Sequence, residues 1–170
     1  MSTKLHPTAE VHDSAKISDG VMVWNWTNVR EGARIGASIS VDQWAYIDFD
    51  VRVGERCKIQ NGVSVYAGVT LGDEVFVGPN ATFINDLLPR AHGEEWQQVA
   101  TSVNTGASIG ANATIVCGAT LHEYCMVAAG AVVTADVPAY ALVMGCPARV
   151  VDYVTRAGKR RHVGPNHGDA

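Results

Sequence analysis

An aliphatic residue returns every six positions from Val11 to Val77 without a gap: Val11, Ile17, Val23, Val29, Ile35, Val41, Ile47, Val53, Ile59, Val65, Leu71 and Val77. The series resumes at Val103 and continues through Ile109, Ile115, Leu121, Val127 and Val133. Four residues after each of these stands a second small or aliphatic residue, such as Ala15, Ala33, Ala45, Cys57, Ala81, Ala107 and Ala131. A helix repeats every 3.6 residues and a half-buried strand every two. A strict period of six fits neither, so the chain cannot be an ordinary bundle or sandwich. The third residue after the aliphatic one is Gly, Asn or Asp in eleven of the eighteen hexads, for example Gly32, Asp50, Gly62, Asn80 and Gly130. These types tolerate positive φ best, so that offset predicts a tight corner.

Each hexad thus reads as one short strand plus one corner, with two positions pointing inward. This is the pattern of a hexapeptide β-helix. The chain resembles the left-handed parallel β-helix of the hexapeptide-repeat acyltransferases. In that family three hexads make one triangular coil. The resemblance implies an all-β fold of about six coils, each rising about 4.8 Å, the spacing of strands in a sheet. The left-handed connection runs against the usual crossover rule and is implied by the resemblance alone.

The length predicts a single domain, large enough to bury a core. Residues 1–10 read as a lead-in, 11–82 as the first coils and 83–102 as a loop. Residues 103–138 read as the last coils and 139–170 as a C-terminal cap and tail. The loop is expected because Phe83 opens a hexad that does not close, and the phase slips by two before Val103. Leu88 to Ser102 carries Pro89, Arg90, His92, Glu94, Glu95 and Trp96 without repeat. Long loops without structure of their own are usually functional. Val150 to Arg161 is expected to form a short helix over the open end, and His162 to Ala170 an unordered tail.

A net charge of −4 and the lack of a basic stripe give no reason to expect nucleic acid. No apolar run reaches the length of a membrane span, and no signal-peptide core opens the chain. Cys57 and Cys125 fall at inward positions, and Cys117 and Cys146 form no CxxC pair. This predicts reduced, buried thiols and a cytoplasmic protein rather than disulfides or a metal site.

An eighteen-residue repeat also predicts which side chains stack. Trp26 lies against Trp44, and Asn25 against Gln43 and Asn61. Asn28, Tyr46, Ser64 and Thr82 form a ladder, as do Arg30, Asp48 and Tyr66, with Ile84 and Asn85 one coil on. These are expected to flank a single edge of the prism. Exposed aromatics and amides on one edge suit a subunit interface, a ligand groove, or both. The other edges are blander, with Gly36, Gly54 and Gly72 stacked on one face.

Two stretches narrow the resemblance. Lys58-Ile-Gln-Asn-Gly-Val-Ser-Val-Tyr66 is followed by Val77-Gly-Pro-Asn-Ala-Thr-Phe-Ile-Asn-Asp86 and Pro89-Arg90. Gly106 to Val116, Gly130 to Pro138 and Gly145-Cys-Pro-Ala-Arg149 form the second. Together they look like the nucleotide-sugar N-acetyltransferases that acylate an amino group, commonly at C3, of a UDP- or dTDP-linked sugar. The resemblance implies acetyl-CoA as co-substrate, no metal, and a homotrimer with active sites between subunits. Asn85 would hydrogen-bond the sugar near the acceptor amine. Tyr66, Gln43, Asn61 and Asp86 would line the substrate pocket. Arg90 or Arg30 could pair with a diphosphate. Gly130 and Ala131 would let the pantetheine arm approach the backbone, and Pro147, Arg149 and Lys159 would complete the CoA site. The chain departs from the family where Asn25 and Asn28 stand in place of common His residues, Cys146 in place of a common Asn and Ala128 in place of a common Gly.

The implied reaction is attack of a neutral amine on a thioester, which needs alignment and a donor to the oxyanion. His92 on the loop is the candidate general base, although the branch that the chain resembles leaves the proton to water or to the substrate. His122 points outward. Transfer to a hydroxyl, or of a longer acyl group, is the alternative within the fold. A γ-type carbonic anhydrase needs three converging His, and the interior offers no spaced His pair. An ice-binding β-helix needs a flat Thr ladder along one face, which is absent, and a scaffold needs neither the loop nor the Gly-Cys-Pro-Ala-Arg motif.

Overall fold

Each hexad forms one two- or three-residue strand, and within the regular coils each strand pairs in parallel with the strand eighteen residues on, a spacing that widens to thirty-two where the loop intervenes. The computed structural model describes residues 2–92 and 97–161. Of the loop, Glu94, Glu95 and Trp96 lie outside the described residues, as does the expected tail from His162 to Ala170.

The strands assemble into three sheets that close a triangular prism. The first holds nine strands, the second seven and the third six. The second sheet carries the inward column Val11, Val29, Ile47, Val65, Phe83, Ile115 and Val133, each the Cα partner of the next. From Val29 onward this column is buried. The i+4 residues, such as Ala33, Ala45, Cys57, Ala81 and Ala113, fill the narrow corners and join the same core. The repeat starts earlier than the aliphatic pattern implied. Lys4–Leu5 pairs with Met22–Val23, so the lead-in is already part of the prism, and the stack is nearer seven coils than six.

The corners behave as the hexad predicts and go further. Gly20, Gly32, Gly62, Gly106 and Gly130 adopt positive φ, and so do Trp26, Ser38, Trp44, Arg56, Glu74 and Tyr124. The left-handed region costs a residue with a Cβ about 1–2 kcal/mol, so inter-coil hydrogen bonds must offset it. One such bond joins Trp44 N to Asn25 O at 3.2 Å. The Gly36, Gly54 and Gly72 stack has a steric cause: a Cβ on Gly54 would meet the Gly72 carbonyl carbon at 2.5 Å.

One expectation about the C-terminal segment is corrected. Residues 150–161 form no helix. Arg149–Tyr153 is a strand antiparallel to Ala141–Met144, followed by a bridge between Val154 and Arg160. The Val150-Val151 pair is β-branched, and the last parallel strand leaves an open edge that an antiparallel strand can cover. The rest of the segment is tied to the edge between the third and first sheets. Arg156 lies 3.6 Å from Glu74 and over the Tyr124 ring, and Arg161 lies over Tyr140.

The thiols are free, and Cys57, Cys117 and Cys125 are buried as expected, but Cys146 is exposed against expectation because it lies in the turn beyond the last hexad. Burial pushes the Cys57 thiol up to about 11 and Cys125 up to about 12, from an ordinary value of 9.0. The unfolded chain therefore loses these protons first. Their contribution to stability is full below about pH 9 and falls as pH rises toward the folded values, by up to ~1.4 kcal/mol per pH unit for each thiol. Urea midpoints should drop steeply above pH 9 in the native protein and less steeply in Cys57→Ala/Cys125→Ala. Parallel loss in both proteins would contradict this assignment.

Candidate active site

Consecutive hexads occupy consecutive edges of the prism. The residues expected to share one edge therefore lie on two, on either side of the second sheet. Trp24 to Trp26, Asp42 to Trp44 and Gln60 to Gly62 precede its strands, while Arg30, Asp48, Tyr66 and Asn85 follow them. The ladder between them, Asn28, Tyr46, Ser64 and Thr82, is in the register expected.

At the first edge a groove of about 390 Å³ is lined by Trp24, Asn25, Ser40, Asp42, Gln43 and Asn61. Its floor is a closed polar set. Trp24 Nε1 donates to Ser40 Oγ at 3.2 Å, and Ser40 Oγ donates to Asp42 Oδ1 at 2.7 Å. Gln60 Nε2 donates to Asp42 Oδ2 at 3.0 Å. The Trp26 and Trp44 side chains stand exposed beside it.

At the second edge the loop leaves the prism after Phe83 and returns at Thr101. Leu71 pairs with Val103, thirty-two residues away rather than eighteen. Asn85 sits half-buried at the base. Its Nδ2 donates to Ala67 O at 3.2 Å, and its carbonyl accepts from Val99 N at 3.2 Å, closing the loop. The Tyr66 ring lies 5.6 Å from the Tyr46 ring. Asp86 Oδ1 caps the loop's first turn by accepting from Leu88 N at 2.8 Å. Arg90 is exposed and donates to Pro89 O. His92 is exposed at the margin of the described residues.

Arg30 is not a free cation. Its Nε and Nη2 bond Glu31 at 3.0 and 3.3 Å, and its Nη1 donates to Tyr46 Oη at 3.2 Å. The expected pairing with a diphosphate would have to displace these bonds, so Arg90 is the better-placed arginine. Glu31 was not singled out from the sequence, although its adjacency to Arg30 was the available signal.

The CoA candidates separate into two groups. Gly130 has positive φ, and a Cβ there would meet open space. The Ala131 side chain is fully buried in the core, which leaves only its backbone to face a ligand. Val132 N donates to Gly145 O at 3.0 Å and accepts Ala148 N at its carbonyl at 2.8 Å. The Gly145–Ala148 turn, with exposed Pro147 and Arg149, is thereby held beside Gly130. Lys159 instead follows Gly158, which packs near Met126 on the segment anchored to Glu74. The structure does not place Lys159 on the Gly130 edge. Among the described residues no three His, Cys, Asp or Glu converge in a metal-binding group, and no helix is long and apolar enough to cross a membrane.

Comparison with known proteins agrees with this architecture. The model of the bacterial transferase hexapeptide (six repeats) matches residues 50–85, and that of the hexapeptide repeat of succinyl-transferase matches residues 101–135. The acetyltransferase domain of PglB from Neisseria gonorrhoeae superposes with a TM-score of 0.62 at 24% identity, over 88% of this chain and 57% of that one. The fold is a left-handed parallel β-helix, and two stretches of the chain carry the hexapeptide repeat of the bacterial transferases. Among curated relatives, a dTDP-3-amino-3,6-dideoxy-alpha-D-galactopyranose 3-N-acetyltransferase of Aneurinibacillus thermoaerophilus is 59% identical over 54 residues, or 32% of this chain and 28% of the relative. The serine acetyltransferase of Bacillus subtilis is 30% identical over 141 residues, or 83% of this chain and 54% of the relative. The chain thus spans about half the length, or less, of these relatives.

Proposed function

We propose that the protein is an acetyl-CoA-dependent N-acetyltransferase acting on the amino group, at C3, of a UDP- or dTDP-linked sugar. The observation that carries this reading is Asn85. Its amide nitrogen is committed to Ala67 O at the base of the loop, which leaves Oδ1 as the atom to meet a substrate. An amide oxygen fixed in that way can accept from an amine N–H and hold the nitrogen lone pair toward an incoming thioester. The short, strong likeness to a dTDP-3-amino-sugar 3-N-acetyltransferase supports the choice of acceptor.

In the reaction the amine nitrogen bonds the thioester carbonyl carbon, the C–S bond breaks, and CoA leaves as the thiol once the nitrogen has lost a proton. A backbone N–H of the last coils would donate to the oxyanion, a role that needs no side chain. Acetyl-CoA would lie along Gly130 and the Gly145–Ala148 turn, with Arg149 near its phosphates. The proton would pass to water or substrate, with His92 a loop candidate for a base. Homotrimer formation would bring the Gln43 and Asn61 groove of one protomer toward the Asn85 edge of its neighbour. That arrangement would unite two halves that a single chain holds apart.

Transfer to a hydroxyl is the second reading, favoured by the serine acetyltransferase likeness over most of the chain. Thiol release from acetyl-CoA separates the two. The acceptors are UDP- and dTDP-linked 3-amino and 4-amino sugars, the matching hydroxy sugars, and serine. Turnover confined to one amino sugar is expected. Turnover of serine or a hydroxy sugar alone would replace the N-acyl reading, and no binding of acetyl-CoA would remove both. His92→Ala is expected to retain activity.

A further inference from the structure

Among the described residues Asp48 is the one charged side chain buried in the prism, at 7% exposure. Removing a carboxylate from water costs several kcal/mol unless hydrogen bonds satisfy it. Here they do. Oδ1 accepts from Tyr46 Oη at 3.0 Å and from Phe49 N at 2.8 Å, and Oδ2 accepts from Ala67 N at 3.1 Å. Ala67 is also the residue whose carbonyl holds Asn85 Nδ2. The Ala67 peptide unit on the N–H side is thus tied to Asp48, and its carbonyl is tied to Asn85. On the other flank, Tyr46 Oη accepts from Arg30 Nη1, while Arg30 Nε and Nη2 bond Glu31. A line of hydrogen bonds therefore crosses four successive coils: Arg30, then Tyr46 with Asp48, then Ala67, then Asn85.

We infer that Asp48 is a positioning residue for Asn85, fixing the Ala67 backbone so that the Asn85 amide has one orientation at the acceptor site. This rests on the reading of Asn85 as the contact to the acceptor amine. A carboxyl group's two acceptor oxygens match the three donors around it. A neutral amide can accept at one atom but must turn an NH2 toward either the Ala67 N–H or the Phe49 N–H, leaving a donor unpaired in a buried place. Burial first, and then the bond to Asp48, raise the Tyr46 pKa, which keeps the phenol a donor. Alanine would leave all three donors unsatisfied.

The test is a double-mutant cycle read by kinetics and by NMR. Asp48→Asn is expected to lower kcat for the amino-sugar acceptor by about tenfold or more, as a misplaced reacting group does, with KM for acetyl-CoA unchanged. In the Asn85→Ala background the same change should cost nothing further, because its route to the substrate is gone. The Ala67 amide and the Asn85 side-chain amide resonances should both move in Asp48→Asn. If that variant does not fold, Tyr46→Phe removes one donor to Asp48 and should shift the same resonances with a smaller loss of kcat. Unmoved Asn85 resonances, or an equal loss in the Asn85→Ala background, would overturn the inference. Should the native protein transfer no acetyl group to any amine, the reading of Asn85 fails, while the resonance shifts still decide whether Asp48 positions it.

Discussion

Asn85→Ala is expected to lower kcat/KM for the amino-sugar acceptor by about 10²-fold, the loss typical when a reacting group is no longer held in line. Acetyl-CoA binding should be unaffected, because Gly130 and the Gly145–Ala148 turn lie at the edge between the first and second sheets, away from Asn85. The fold should tolerate the change, since the loop-closing bond from Val99 N goes to the Asn85 backbone carbonyl and survives it. Steady-state kinetics with both substrates varied, beside a titration of acetyl-CoA by calorimetry, check each part. Asn85→Asp is the sharper variant. It keeps size and an acceptor oxygen, but its carboxylate repels the Ala67 carbonyl that the amide nitrogen now bonds. Its activity should therefore fall nearly as far as that of Asn85→Ala. A variant Asn85→Ala as fast as the native protein on an amino sugar would remove Asn85 from the mechanism.

Much of this architecture was legible because the period of six leaves no freedom along the axis. Once Val29, Ile47 and Val65 are set as inward residues, their register, the Asn28–Tyr46–Ser64–Thr82 ladder and the positive-φ corners follow. The same repeat also holds information about edges. Residues six apart face the same way but stand on successive edges, so Asn25 and Glu31 are neighbours in phase and not in space. Grouping Asn25 and Trp26 with Arg30 and Asp48 on one edge overlooked that step. Other features were hidden for a different reason. Arg30 was read as a phosphate partner because a sequence shows a cation and not its hydrogen bonds, and Glu31 already occupies two of its donors. The segment after Arg149 was read as a helix because its strand partner is an edge created by the last coil. A repeat pattern ends before that edge exists. Asp48 was placed correctly in its ladder, but its burial depends on Tyr46 and the Ala67 backbone folding over it.

Phe83→Ala is expected to cost about 3–5 kcal/mol, the range for emptying an aromatic site in a close-packed core. Phe83 is fully buried and is the largest side chain in the core. It stands between Val65 and Ile115 in the inward column of the second sheet, at the last strand before the loop departs. Two features limit how far the site can collapse around the vacancy. The strands above and below are fixed at the pairing distance by their hydrogen bonds, including Ile84 N to Ile115 O at 3.0 Å, and the flanking Val65 and Ile115 side chains already fill their own layers. The lost area therefore remains as a cavity, and the melting temperature should fall by on the order of 10 °C for a chain of this length. Phe83→Leu keeps most of the volume and should cost under about 1.5 kcal/mol. Leu88→Ala, on the exposed part of the loop at 79% exposure, should change stability by less than about 0.5 kcal/mol. Urea unfolding of the three variants gives the comparison. A Phe83→Ala loss no larger than that of Leu88→Ala would mean that the prism reaches its stability without the second-sheet column at the point where the loop leaves. It would also mean that the loop base, and with it Asn85, is held by the Ala67 and Val99 hydrogen bonds alone.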